Sequence, residues 1–93
     1  MPIGKFVVIG TMHVRCATAQ RLSDWALLTA ADQPLAVSAT PGGWFLPTHE
    51  VECGADVPPE LHAILAFGRK HGCGYVLLDC DGPECAALPV FPW

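Results

Sequence analysis

Apolar positions fall into seven segments, six of whose spacings predict strands and helices. Lys5-Phe6-Val7-Val8-Ile9-Gly10-Thr11 is β-branched and aromatic, as a strand requires. Both of its alternating sets are apolar, which predicts a central strand covered on two faces. Thr18 is placed to cap a helix running to about Ala31, with Leu22, Trp25, Ala26 and Thr29 at helical spacing and Leu28 beside them. Pro34 ends that pattern. Leu35–Thr40 and Trp44–Leu46 read as two strands of a hairpin about Pro41-Gly42-Gly43. After a polar loop over His49–Val57, Pro58-Pro59-Glu60 opens a second helix. Its stripe is Leu61, Ile64, Leu65 and Gly68, widened by Ala63 and Phe67, and His71-Gly72 closes it. Gly74–Asp79 is a fourth strand, apolar on both sets, and Asp81-Gly82-Pro83 is a turn. The last segment, Ala86–Trp93, is apolar and broken by proline.

The order β-α-β-β-α-β predicts an α+β, ferredoxin-like split βαβ fold in one domain over residues 1–93. A four-stranded antiparallel sheet would carry both helices on one face, with the first and fourth strands as neighbours. The second sheet face would then expose either Val7 and Ile9 or Phe6 and Val8, with two residues of Tyr75–Leu78. The irregular C-terminal tail is expected to pack on the body and cover part of that face, and a homodimer to cover the rest.

Composition fits one small globular domain. Of 93 residues, 52% are hydrophobic and 15% charged, too apolar for disorder. No apolar run approaches the ~20 residues that span a bilayer. The first residues lack a signal-peptide pattern, so the expected compartment is the cytoplasm. Five cysteines are an odd number without a Cys-x-x-Cys pair, which in a reducing compartment predicts free thiols. Net charge is −4, and of five cations only Arg69-Lys70 are adjacent, at a helix C-terminus. Direct nucleic-acid binding, which needs a basic face, is disfavoured.

Three segments hold chemistry-bearing side chains. His13 and Cys16 follow the first strand, where they read as two metal ligands, as a thiolate with its base, or as a buried loop cysteine beside a hydrogen-bonded histidine. His49 and Cys53, with Glu50 and Glu52, form a second His/Cys segment or a solvated acidic loop. Zinc would need ligands from both segments. Asp79-Cys80-Asp81-Gly82-Pro83-Glu84-Cys85 offers oxygen ligands, yet lacks the ladder of a calcium loop and reads more simply as an Asp-Gly turn. In an antiparallel sheet this turn would lie at the opposite end from His13. Trp44 and Phe45 are adjacent aromatics, one expected in the core and one on the outer face. No phosphate-binding glycine loop, nucleophile elbow or dinucleotide fingerprint occurs.

The last third is the most distinctive. Pro58-Pro59-Glu60-Leu61-His62-Ala63-Ile64-Leu65, His71-Gly72-Cys73-Gly74-Tyr75-Val76, Asp79-Cys80-Asp81-Gly82-Pro83 and Leu88-Pro89-Val90-Phe91-Pro92-Trp93 resemble a family of small uncharacterised bacterial proteins carried largely on plasmids and integrated elements. The pattern is a strand, Asp-x-Asp-Gly, a spacer, then Leu-Pro-x-aromatic-x-Trp. Thr11-Met12-His13 resembles the family's N-terminal strand end, while Cys80 and Cys85 depart from its pattern. The resemblance implies a mobile-element accessory and no catalytic residue.

The expected function is therefore a non-enzymatic, protein-binding or regulatory accessory, acting through a protein partner or self-association. Trp44, Phe45, Asp79, Asp81 and Trp93 are its candidate interaction residues, with no cofactor. The alternative is a small zinc-binding protein or enzyme using His13 and Cys16 with His49 and Cys53. A third class, ligand binding between hairpin and tail, needs an apolar cavity with convergent polar groups. Convergence of the two His/Cys pairs distinguishes the first two.

Overall fold

The computed structural model describes residues 4–49 and 57–92. Six regular elements run β1 (Phe6–Gly10), α1 (Cys16–Ala26), β2 (Ser38–Thr40), β3 (Gly43–Pro47), α2 (Pro59–Lys70) and β4 (Tyr75–Asp79). Short 3-10 turns at Thr11–His13 and Ala30–Asp32 join them. Both helices pack on one sheet face. Leu22 and Trp25 of α1 and Leu61, Ile64 and Leu65 of α2 share one core with Ile9, Leu46, Val76 and Leu78. The helices are also tied to each other, since Thr18 Oγ1 donates to Glu60 Oε1 at 3.1 Å.

The sheet is mixed, in the order β1-β4-β3-β2, and this corrects the all-antiparallel ferredoxin-like expectation. β1 runs parallel to β4, with Phe6 opposite Tyr75 and Gly10 opposite Asp79. β3 runs antiparallel to both β4 and β2. The departure is confined to β4, which sits between β1 and β3 instead of outside β1. Its cause is where the chain re-enters the sheet. Thr48, just beyond β3, donates its N–H to Gly74 O and its hydroxyl to Cys73 O, while Arg69 Nη1 donates to the Thr48 carbonyl. The chain thus returns to the end it left, Tyr75 pairs with Pro47, and β4 must run opposite to β3. β1 is consequently an edge strand, although both of its side-chain sets are apolar.

Local boundaries follow from side-chain hydrogen bonding. α1 begins earlier and ends sooner than its periodicity predicts. Thr18 is no cap; it lies buried within the helix, committed to Glu60. The end of α1 is set by Gln33, whose Nε2 donates to Trp25 O and Val37 O while its Oε1 accepts from Val37 N. Leu28 and Thr29, expected on or beside the buried stripe, are exposed beyond this stop. β2 is shorter than predicted because Leu35 and Val37 enter the core before pairing begins. α2 buries its predicted stripe of Leu61, Ile64, Leu65 and Gly68, with Phe67 half-buried beside it but Ala63 exposed, and has Pro59 in its first turn and Gly72 at φ 72° just past its end.

The tail packs on the body through Leu88, which joins the core. It does not cover the second sheet face as expected. Its contacts are with Met12, His13 and Arg15 at one end of the sheet. Phe6, Val8 and Tyr75 on the second face stay 54%, 37% and 42% exposed.

A Cβ on Gly43 would sit 1.8 Å from the Leu78 carbonyl oxygen, inside the β3–β4 ladder. Gly43→Ala is therefore expected to cost about 3 kcal/mol or more, because backbone must move to admit it. Urea unfolding followed by circular dichroism measures this.

Candidate functional site

Parallel pairing brings the C-terminal ends of β1 and β4 together. The Thr11–His13 turn and the Asp79–Glu84 turn thus share one sheet end, which corrects the expectation that they lie apart. The approach is close. Gly10 N donates to Pro83 O at 2.9 Å, and a Cβ on Gly82 would lie 2.9 Å from Gly10 N and from Ile9 C and O. Glycine is needed at position 82 for this contact between backbones.

His13 is the centre of this end. It is fully buried, and both ring nitrogens are engaged. Nε2 accepts the Cys85 N–H at 2.8 Å, so that nitrogen carries no proton. Nδ1 therefore holds the hydrogen, which it donates to Pro89 O at 2.7 Å. One neutral tautomer thereby clamps two points of the tail. Phe91 N donates to Met12 O at 2.8 Å, and the Arg15 guanidinium lies 4.7 Å from the Phe91 ring centroid. Arg15 Nε also faces Glu60 Oε2 at 3.6 Å. Glu60 is buried in the first turn of α2, where the helix dipole favours a carboxylate.

Between the two turns and the tail opens a cleft of about 300 Å³ lined by Thr11, Met12, Cys80 and Phe91. Crevices beyond the carboxyl ends of parallel strands are the usual ligand sites of open α/β sheets. Among the described lining residues, the polar side chains are those of Thr11 and Cys80. His13, the nearest base in sequence to Thr11, cannot accept a proton without releasing the Cys85 N–H.

Among the described residues, the two His/Cys segments do not meet through His13 and His49. His13 is buried beyond the β1 end and His49 is exposed beyond β3, while Cys16 is no buried loop residue: α1 starts with it and its side chain is exposed. Because Pro47 pairs with Tyr75 while Gly10 pairs with Asp79, His49 and His13 follow opposite ends of the sheet. Cys53, Glu50, Glu52 and Trp93 lie outside the described residues. Cys16, Cys73, Cys80 and Cys85 are free thiols. Among the described residues, the group of metal-ligating side chains within 4.8 Å of one another is Asp79, Cys80 and Asp81. These belong to a turn in which Asp79 Oδ1 accepts the Asp81 N–H at 2.8 Å, the side-chain-to-backbone bond expected of Asp in a turn.

The aromatic candidates divide by face. Trp44 packs against the core. Phe45 lies on the open face, stacked on Tyr75 at 5.1 Å between centroids and edge-on to Phe6 at 6.0 Å. Phe6, Val8 and Tyr75 complete this surface, so of the two sets open in the sequence, Phe6 with Val8 faces outward and Val7 with Ile9 faces the core. The available signal was the double apolarity of the first and fourth strands, which left one face in need of a cover.

Replacing His13 with Phe keeps ring volume but leaves the Cys85 N–H and the Pro89 carbonyl unpaired. The expected loss is about 2–4 kcal/mol, with faster amide exchange at Cys85. Denaturant unfolding and hydrogen exchange measure the two effects.

No curated protein and no solved structure matches the chain significantly. A family model does, over residues 6–93, which includes all six regular elements and the His13 clamp. The chain belongs to DUF5983, a family of unknown function, and carries its C-terminal domain.

Proposed function

We propose that this domain is a protein-binding accessory module, without chemistry of its own, that engages its partner through the open face of the sheet. The observation that carries the reading is the exposure of Phe6, Val8 and Tyr75 around the Phe45 ring on one flat surface. Contiguous apolar surface of this kind on a small domain marks an interaction site. Aromatic side chains supply large contact area with few rotors to freeze. The net charge of −4 favours a protein over a nucleic-acid partner. The commitment of both His13 nitrogens to the tail supports a role without acid–base catalysis. The resemblance to proteins borne on plasmids and integrated elements supports an accessory role for such an element, exercised in the cytoplasm.

The test compares wild-type protein with the double variant Phe6→Ser, Tyr75→Ser. Both positions lie outside the core, so the variant is expected to keep the wild-type circular dichroism spectrum. Affinity capture from host-cell extract should retain a specific protein on the wild type, with binding about 30-fold weaker or more on the variant. Capture of the same protein equally by both would overturn the reading.

A further inference from the structure

Among the described residues, none pairs with the outer edge of β1 from Phe6 to Ile9. Tyr75 N donates to Lys5 O at 3.2 Å, which fixes the alternation of the parallel ladder. Lys5, Val7 and Ile9 turn their peptide groups towards β4. Phe6 and Val8 turn theirs outward, to the free side of the sheet. Natural edge strands are usually blunted by proline, by an inward charge, by a bulge or by great shortness. The opposite edge, β2, has only three residues. β1 has five, with none of these devices between Phe6 and Ile9. Its edge closes only at Gly10, where Pro83 O takes the outward N–H.

We infer that β1 pairs antiparallel with β1 of a second copy of this chain. This deepens the proposed function and rests on it, because it makes the partner-binding face a joint product of two copies. Self-pairing is favoured by the side chains. With the two-fold axis at Val7, Phe6 of each copy stands opposite Val8 of the other, and four outward backbone groups per strand find partners. Directly opposed residues of an antiparallel pair share a face, so each large ring meets the other copy's small β-branched side chain. Charge agrees with the same register. Lys5 stands at the start of β1, and the turn bearing Asp81 and Glu84 borders its end through the Gly10–Pro83 bond. Antiparallel pairing sets each Lys5 beside the other copy's acidic turn. A parallel arrangement would place like charges together.

The result is an eight-stranded sheet whose two aromatic clusters face the same way, doubling the surface offered to a partner. A short edge buries less than the ~1,600 Å² of a standard interface, so the dimer is weak and reversible.

Sedimentation of the full chain from about 10 μM to about 1 mM tests this, a range suited to weak association. The mass average should climb towards twice the monomer. Val8→Pro deletes an outward N–H without touching the β1–β4 ladder, and should weaken self-association at least tenfold. Tyr75→Ser should weaken it far less. A second readout does not depend on the folding of any variant. Zero-length carbodiimide coupling of mixed ¹⁴N and ¹⁵N wild-type protein should join Lys5 to Asp81 or Glu84 between copies. Within one copy these groups stand at opposite ends of a strand about 17 Å long. A monomer throughout the range, or cross-links only within one copy, overturns the inference. So does a dimer abolished by Tyr75→Ser and untouched by Val8→Pro, which would be packed face to face. If Val8→Pro is monomeric yet captures the host protein as well as wild type, the joint face is overturned while the protein-binding reading stands.

Discussion

The parallel ladder between β1 and β4 is the constraint on which the rest of the molecule depends. It carries the end of the first strand and the end of the last to the same edge of the sheet. Everything distinctive about that edge follows. The Asp79–Glu84 turn leans on β1 closely enough to exclude a side chain at position 82. The tail that leaves the turn crosses the start of α1 and finds His13 beneath it. Reverse β4, and the histidine and the tail would lie a strand's length apart.

His13 illustrates how a residue type associated with catalysis serves as architecture. A buried imidazole is tolerated because both nitrogens are satisfied, one as donor and one as acceptor. Around it the polar groups form a connected set. Arg15 lies over Phe91 and faces Glu60, and Glu60 accepts from Thr18. The tail, the start of α1 and the start of α2 are held by this set where apolar contact alone would leave their relative positions loose.

Much of the fold was legible in local chemistry. The places of β1, β3 and β4, the Pro59 start and Gly72 stop of α2, the hairpin at Gly42-Gly43 and the burial of Leu22, Trp25, Leu61, Ile64 and Leu65 follow from periodicity and turn residues. The direction of β4 does not, because it depends on where the chain re-enters the sheet, and Thr48 announces its bonds to Cys73 and Gly74 by no local pattern. The same holds for Gln33, whose side chain ends α1 from outside the helix. At the candidate site, the bland reading of His13 as a hydrogen-bonded loop histidine described its environment, but its partners lie more than seventy positions away. The open face was visible as an excess of apolar positions; which side chains occupy it became clear only from the register.

The strand order also bears on how the chain reaches its native state. β1 is made before the other strands, yet in the sheet it pairs with β4, the last strand of the described residues. Until β4 is available, an apolar strand with both edges free must wait, and only the β2–β3 hairpin can close over a short distance. Nascent or partly unfolded molecules therefore expose Phe6–Ile9 for longer than any other strand. That interval is when chaperone capture or misassociation is most probable.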